Sequence, residues 1–200
     1  MKRYGIIGGT FDPIHYAHLY IAYEAKKQLD LDEVIFMPAG NPPHKDGKCI
    51  TDASLRYDMV NLAIQDYNEF SISSYEIEKN GLSFTYQTLE HLKSKDRELF
   101  FITGADCLID IEKWENVSKI LSLCNLVVFT RGGINNDELI KQEKYIQKKY
   151  EVDITVLKLN QLEISSTDIR KRIKDKERID FFVPNSVVNF IEKNELYRED

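Results

Sequence analysis

Apolar residues fall along this chain in two alternating rhythms. Short, nearly continuous apolar runs cover residues 3–7, 33–38, 70–73, 98–103, 126–130 and 154–159. Runs of this length are expected to form strands, and near-complete apolarity fits burial on both faces of a sheet. Between them, apolar positions recur every three to four residues over 16–29, 53–66, 85–95, 116–123 and 137–150. That is the period of helices with one buried face. Strands alternating with helices predict βαβ units, an α/β fold with a mostly parallel sheet and helices on both faces. Residues 184–197 predict one more helix, with Pro184 near its start and apolar Val187, Val188, Phe190 and Ile191. It is expected to pack on the domain edge, and an oligomer contact is a second role open to it.

The first strand leads into the most informative segment, Tyr4-Gly5-Ile6-Ile7-Gly8-Gly9-Thr10-Phe11-Asp12-Pro13-Ile14-His15-Tyr16-Ala17-His18. Glycines let backbone amides approach an anion closely. A helix start adds N–H groups and a positive dipole end, and together these suit phosphate. His15, His18, Ala22, Ala25 and Leu29 recur at spacings of three and four and so share one helix face. In an open α/β sheet ligands bind beyond the carboxyl ends of the strands. The two histidines are therefore expected to point into the cleft above the first strand. A loop over 39–51, rich in Pro, Gly and Lys, follows the second strand at the same end.

Composition narrows the function classes. The chain has 200 residues, 27 basic and 33 acidic, for a net charge of −6. That length suits one domain, 1–200, with a C-terminal helical segment from about 165. The acidic balance argues against a general nucleic-acid binder, which would carry a basic stripe. Cys49, Cys107 and Cys124 are odd in number and widely spaced. They make no zinc pattern and no disulfide framework, as expected of thiols in a reducing cytoplasm. No apolar run is long enough to span a bilayer, and no leader peptide is evident.

A second phosphate candidate lies near the C-terminus, Ile164-Ser165-Ser166-Thr167-Asp168-Ile169-Arg170. Ser165 followed by Asp168 resembles a capping box and marks a helix start. Side chains on a helix lean toward its N-terminus, so Arg170 can reach whatever the amides hold. Hydroxyls, amides and a guanidinium together suit a polyphosphate. The histidine pair could instead be two ligands of a metal, but no third ligand is spaced nearby. The charged run over 170–178 is expected to be a solvated helix face, His91 an ordinary helix residue, and Tyr145, Tyr150 and Tyr197 packing residues.

Taken together, Gly8-Gly9-Thr10-Phe11-Asp12-Pro13-x-His15-x-x-His18 and Ile164-Ser165-Ser166-Thr167-x-Ile169-Arg170 resemble the two signatures of the HxGH-type nucleotidyltransferase superfamily. Within it the sequence is most similar to the bacterial nicotinate-nucleotide adenylyltransferase family. Supporting segments are Pro38-x-x-x-Pro42-Pro43-His44-Lys45, Arg56-x-x-Met59, Gly81-x-Ser83-Phe84-Thr85 and Phe101-Ile102-x-Gly104-Ala105-Asp106, with Trp114 beyond. The resemblance implies a Rossmann-like, doubly wound domain that joins the AMP part of ATP to nicotinate mononucleotide, releasing pyrophosphate. Mg²⁺ would arrive with ATP, no metal would be held by the protein alone, and the enzyme would be cytoplasmic. Two alternatives stay open. The acceptor could be nicotinamide mononucleotide or phosphopantetheine, or the chain could be a catalytically silent nucleotide-binding module.

The resemblance also implies residue roles. His15, His18, Thr10 and Arg170 would carry catalysis, with His18 against the α-phosphate. ATP would be held by Gly8, Gly9, Thr10, Phe11, His18, Gly104, Asp106, Ser165, Ser166, Thr167 and Arg170. Asp12, His44, Lys45, Thr85, Trp114 and Arg131 would face the mononucleotide, Trp114 by stacking on its ring. Two positions depart from the family's usual pattern. Ala17 stands where a glycine usually separates the histidines. Gln87 stands where an Asp is usual, which removes a charge on the expected substrate side.

Overall fold

The computed structural model describes residues 1–41, 50–79, 81–130, 136–160 and 162–198. Six strands form one sheet: β1 (Lys2–Gly9), β2 (Glu33–Pro38), β3 (Phe70–Ile72), β4 (Arg97–Gly104), β5 (Asn125–Phe129) and β6 (Ile154–Leu157). All five pairings are parallel, in the order β3-β2-β1-β4-β5-β6. The order reverses between β1 and β4. This is the switch point at which doubly wound sheets open a ligand crevice. Pairing of Gly9 with Pro38, and of Ile7 with Ile102, brings the carboxyl ends of β1, β2 and β4 to one edge.

Side chains alternate across the sheet with the period of two that a pleat requires. Val34 and Phe36 enter one core while Ile35 and Met37 enter the other. The first core is covered by α1 (Tyr16–Gln28) and α2 (Ala53–Ile64), with α8 (Ser166–Lys174) and α9 (Asn185–Lys193) beside them. The second is covered by α4 (Thr85–Leu92), α5 (Ala105–Ile109), α6 (Val117–Leu123) and α7 (Asn136–Tyr150). A one-turn helix, α3 (Tyr75–Glu78), follows β3, and a 3-10 turn (Ile111–Lys113) follows α5. The fold is the doubly wound α/β layer that the alternation of rhythms predicts.

The differences from expectation are at ends and in short elements. The helix expected over 85–95 stops at Leu92, because Lys93 turns extended (ψ 131°). The strand expected to 159 ends at Leu157. α1 buries a wider face than expected, adding Ala17, Leu19 and Ile21 to Ala22 and Ala25. The charged run over 170–178 is only half helical. α8 ends at Lys174, Lys176 adopts a left-handed φ of 59°, and Arg172 grips both Asp168 and Glu177. The last helix ends at Lys193, and the chain beyond it folds back through left-handed Glu195 and Tyr197.

Candidate active site

The glycine turn after β1 is shaped by the side chain that follows it. Phe11 takes a left-handed φ of 51° and is buried. A Cβ on Gly9 would lie 2.9 Å from its ring, so that position has room for hydrogen only. The Phe11 ring meets His18 edge-on, at 5.0 Å between centroids and 83° between planes. On its other side His18 stacks on His15, at 3.7 Å and 21°. His15 is the N-cap of α1, and its backbone N–H donates to Nδ1 of His18 at 3.3 Å. This is a capping box in which a histidine replaces the usual Glu or Gln. With Nδ1 accepting this hydrogen bond, a neutral His18 ring carries its proton on Nε2.

Not every amide at this helix start is open to a ligand. The Tyr16 N–H donates to the Phe182 carbonyl at 2.9 Å and the His18 N–H to the His15 carbonyl at 2.9 Å. The helix dipole remains.

The second phosphate candidate docks directly onto this turn. Ser165 caps α8 by accepting from the Asp168 N–H at 3.1 Å. Ser166 Oγ donates to the Pro13 carbonyl at 2.9 Å, and Arg170 Nη1 donates to the Asp12 carbonyl at 2.7 Å. Arg170 Nη2 reaches Thr167 Oγ1 at 3.4 Å. Two segments about 150 residues apart in sequence thus share one corner of the molecule. The Asp12 carboxylate turns inward. It is 6% exposed and accepts from the Tyr197 hydroxyl at 2.7 Å and the Thr51 N–H at 3.4 Å. Tyr197, expected to be a packing residue, is therefore a hydrogen-bond donor to the opening segment. Burial and the adjacent Asp12 charge push its phenol well above the ordinary tyrosine range.

Cavities lie on either side of the opening segment. One of about 470 Å³ is lined by Gly8, Gly9 and Thr10, by Ala39, by Ser83, Phe84, Thr85 and Thr88, and by Trp114. Trp114 packs edge-on against Phe101, with centroids 6.0 Å apart. Its ring is therefore anchored by the core and still faces the cavity. Glu76, Thr103, Cys107, Lys113 and Glu115 complete the polar wall. A second cavity of about 300 Å³ is lined by Ala17, Tyr20 and Ile21 of α1, by Phe129 and Thr130 at the end of β5, and by 162–165 before α8. The histidines thus stand, along the chain, between a segment facing one cavity and a segment facing the other.

Gly104 caps α5, and a Cβ there would fall 2.2 Å from Oδ1 of Asp106. The absence of a side chain at 104 lets the Asp106 carboxylate lie against the end of β4. Gln87 accepts from Lys79 Nζ and donates to Tyr86 at 3.1 Å, while its neighbours Thr85 and Thr88 line the cavity. His91 stacks on Tyr75 at 3.9 Å on the surface of α4. Burial pushes the Cys124 thiol up to about 12, and it donates to the Ile120 carbonyl. His44, Lys45 and Arg131 lie outside the described residues. So does most of the loop expected over 39–51.

Two buried polar residues at this edge were not among the expected site residues. Arg56 binds four backbone carbonyls. Glu76 accepts from Thr88 Oγ1 at 2.6 Å inside the cavity wall. The signal for Arg56 was present as a charge within the apolar face Met59, Val60, Ala63 and Ile64 of α2. Glu76 sits on a helix of one turn, too short for a period to show.

Comparison with known proteins identifies the family. A cytidylyltransferase-like family profile matches residues 6–172. A Clostridium botulinum protein named as a nicotinate-nucleotide adenylyltransferase is 72% identical over 200 residues, covering 100% of both chains. A Clostridium beijerinckii protein of the same name is 62% identical, covering 99% of this chain and 100% of its own. Among solved structures, the Plasmodium falciparum nicotinic acid mononucleotide adenylyltransferase complexed with NaAD superimposes with a TM-score of 0.79. It is 20% identical and covers 100% of this chain and 99% of its own, a likeness of fold. The chain belongs to the cytidylyltransferase-like family and, within it, to the nicotinate-nucleotide adenylyltransferases.

Proposed function

We propose that this chain transfers the AMP moiety of ATP to nicotinate mononucleotide, giving nicotinate adenine dinucleotide and pyrophosphate. A phosphate oxygen of the mononucleotide attacks the α-phosphorus of ATP. The bond from that phosphorus to the α,β-bridging oxygen breaks, and the electron pair leaves with pyrophosphate. The attacking oxygen is already anionic at neutral pH, so no general base is required. What remains for the protein is alignment, which contributes on the order of 7–11 kcal/mol, and neutralisation of charge developing on the phosphates.

The observation that carries this reading is the junction of the two helix starts. Ser166 and Arg170 are bonded to the backbone of Pro13 and Asp12 beside the stacked pair His15–His18. Donors suited to the α-phosphate and to the β- and γ-phosphates thereby share one rigid corner. His18 donates from Nε2 to the α-phosphate, with His15 fixing its plane. Thr10 and the amides of residues 9–11 add donors. Ser165, Thr167 and the remaining N–H groups of Arg170 take the outer phosphates. The cavity beside α1, with Tyr20, Phe129 and Ile164 among polar Thr130 and Asn160, suits the adenine. Trp114 stacks on the pyridine ring with Thr85 beside it, and Lys45, His44 and Arg131 are assigned to the mononucleotide's anionic groups.

Mg²⁺ enters as part of the ATP substrate, where it neutralises phosphate charge. Among the described residues no group of three or more His, Cys, Asp or Glu is clustered to hold a metal. A cation held largely by phosphate and water needs one or two carboxylates at most. Asp106, exposed in the first turn of α5, suits a hydrated ion or a ribose. Among the described residues no helix is long and apolar enough to cross a membrane, and the substrates are those of a cytoplasmic enzyme.

The test is pyrophosphate release with ATP and Mg²⁺, comparing nicotinate mononucleotide, its amide and phosphopantetheine at matched concentrations. Strong preference for the acid is expected. Preference for the amide or for the pantetheine acceptor would reassign the acceptor, and ATP binding without release from any of them would mean a silent module.

A further inference from the structure

Arg56 has the largest of the fully buried side chains among the described residues, and the reaction as derived above makes no use of it. The residue is 1% exposed. Nη1 donates to the Thr10 carbonyl at 2.7 Å, Nη2 to Ala39 at 2.7 Å and Gly40 at 3.2 Å, and Nε to Thr51 at 2.8 Å. One planar fork therefore joins three separate stretches of chain. Burial works against its charge, and Asp12, Asp52 and Tyr197 face it from the surrounding elements.

A buried charge is a poor device for stability alone, since a well-packed apolar side chain usually serves as well or better. What the fork adds is geometry. Thr10 closes the glycine turn that leads to His15 and His18. Ala39 lines the larger cavity, and Gly40 abuts the carbonyl of Glu76, another of its lining residues. Thr51 passes the constraint on, its own N–H donating to the Asp12 carboxylate. The carbonyls thus belong to the turn assigned to ATP and to the wall assigned to the acceptor. Their separation is set by the fixed spacing of guanidinium nitrogens. Lysine, with its donors at a single point, cannot span them.

We infer that Arg56 is a positioning residue for adenylyl transfer. It holds the phosphate-binding turn and the acceptor wall at the separation that in-line attack requires. The inference rests on the adenylyl-transfer reading.

The experiment compares wild type with Arg56→Lys and Arg56→Gln, each checked for native packing by near-UV circular dichroism. ATP affinity is measured by calorimetry, mononucleotide affinity by fluorescence of Trp114, the chain's one tryptophan, and kcat by pyrophosphate release. A misplacement of 1 Å costs about a hundredfold, so kcat should fall by about that factor while each ligand alone binds within about threefold of wild type. The lysine variant retains charge and so separates spacing from electrostatics. A folded Arg56→Lys protein with kcat near wild type would overturn the assignment. So would a loss confined to the affinity of a single ligand, or failure of both variants to fold, which would make Arg56 a residue of stability. A wild type that releases no pyrophosphate would sink the adenylyl-transfer reading instead, and the binding measurements distinguish the two failures.

Discussion

One ring nitrogen of His18, Nδ1, is occupied by its own helix. The bond from the His15 amide, the stack on His15 and the edge of Phe11 fix the plane of the ring. In the proposed reaction, removing it deletes a donor to the α-phosphate without opening the core. His18→Ala should lower kcat by about 10²–10³-fold with the fold intact, the range seen when one such donor is lost. Steady-state pyrophosphate release checks this, and near-normal turnover would remove His18 from the mechanism. Glu76 behaves differently. Burial pushes its carboxyl above the ordinary range, against the pull of Thr88, Ser83 and Lys79. A group with a raised folded pKa favours the folded state while protonated. That contribution is present at low pH and is lost as pH rises through the folded value. Glu76→Gln keeps an acceptor for Thr88 but cannot ionise. Its melting temperature should therefore gain on wild type between pH 5 and pH 8, by about 2–4 °C if 1 kcal/mol is involved. Melting curves at the two pH values are the check, and a gap independent of pH would mean that Glu76 does not ionise against its surroundings.

At the scale of elements, the site is built where strand ends and helix starts meet, and loop contacts fix their spacing. The loop leaving β2 runs so close to α3 that a Cβ on Gly40 would sit 2.0 Å from the Glu76 carbonyl oxygen. That oxygen is backbone and cannot swing aside. Gly40→Ala should cost about 1–3 kcal/mol, as overpacking does, and should raise the mononucleotide KM more than the ATP KM. Thermal unfolding and the two KM values decide this, and an unchanged melting temperature would refute the contact. These elements also explain what could be read in advance. β2 matched its apolar run at both ends, and α8 began where Ser165 and Asp168 said it would. Both signals are local. The five residues of α5 and the four of α3 carry no period to detect, although their backbones place Asp106 and Glu76. Arg56 was visible as a charge on an apolar face, but its four partners are carbonyls, which leave no mark in a sequence. Tyr197 gave no hint of its partner, because its bond to Asp12 spans 185 residues.

At the scale of the molecule, the switch point between β1 and β4 opens the crevice, and the C-terminal helices close its corner. α8 and α9 cover the same core as α1 and α2, while 166–170 hold the turn at 12–13. The Tyr197 hydroxyl completes the arrangement from beneath, on a carboxylate that is almost wholly buried. Tyr197→Phe removes that donor and keeps the ring. A hydrogen bond to a charged group is worth about 1.5–3 kcal/mol, so the melting temperature should fall by several degrees. Turnover should fall with it, because Asp12 lies in the same turn as the histidines. Differential scanning calorimetry alongside pyrophosphate release tests this, and a variant matching wild type in both would reduce Tyr197 to packing. The same contact bears on how the enzyme is born. A ribosome adding about 5–20 residues per second exposes Asp12 and its histidines some 10–40 s before the tyrosine 185 positions later can reach them. Throughout that interval the nascent chain carries Asp12, His15 and His18 without the tyrosine hydroxyl that later ties their turn to the far end of the chain.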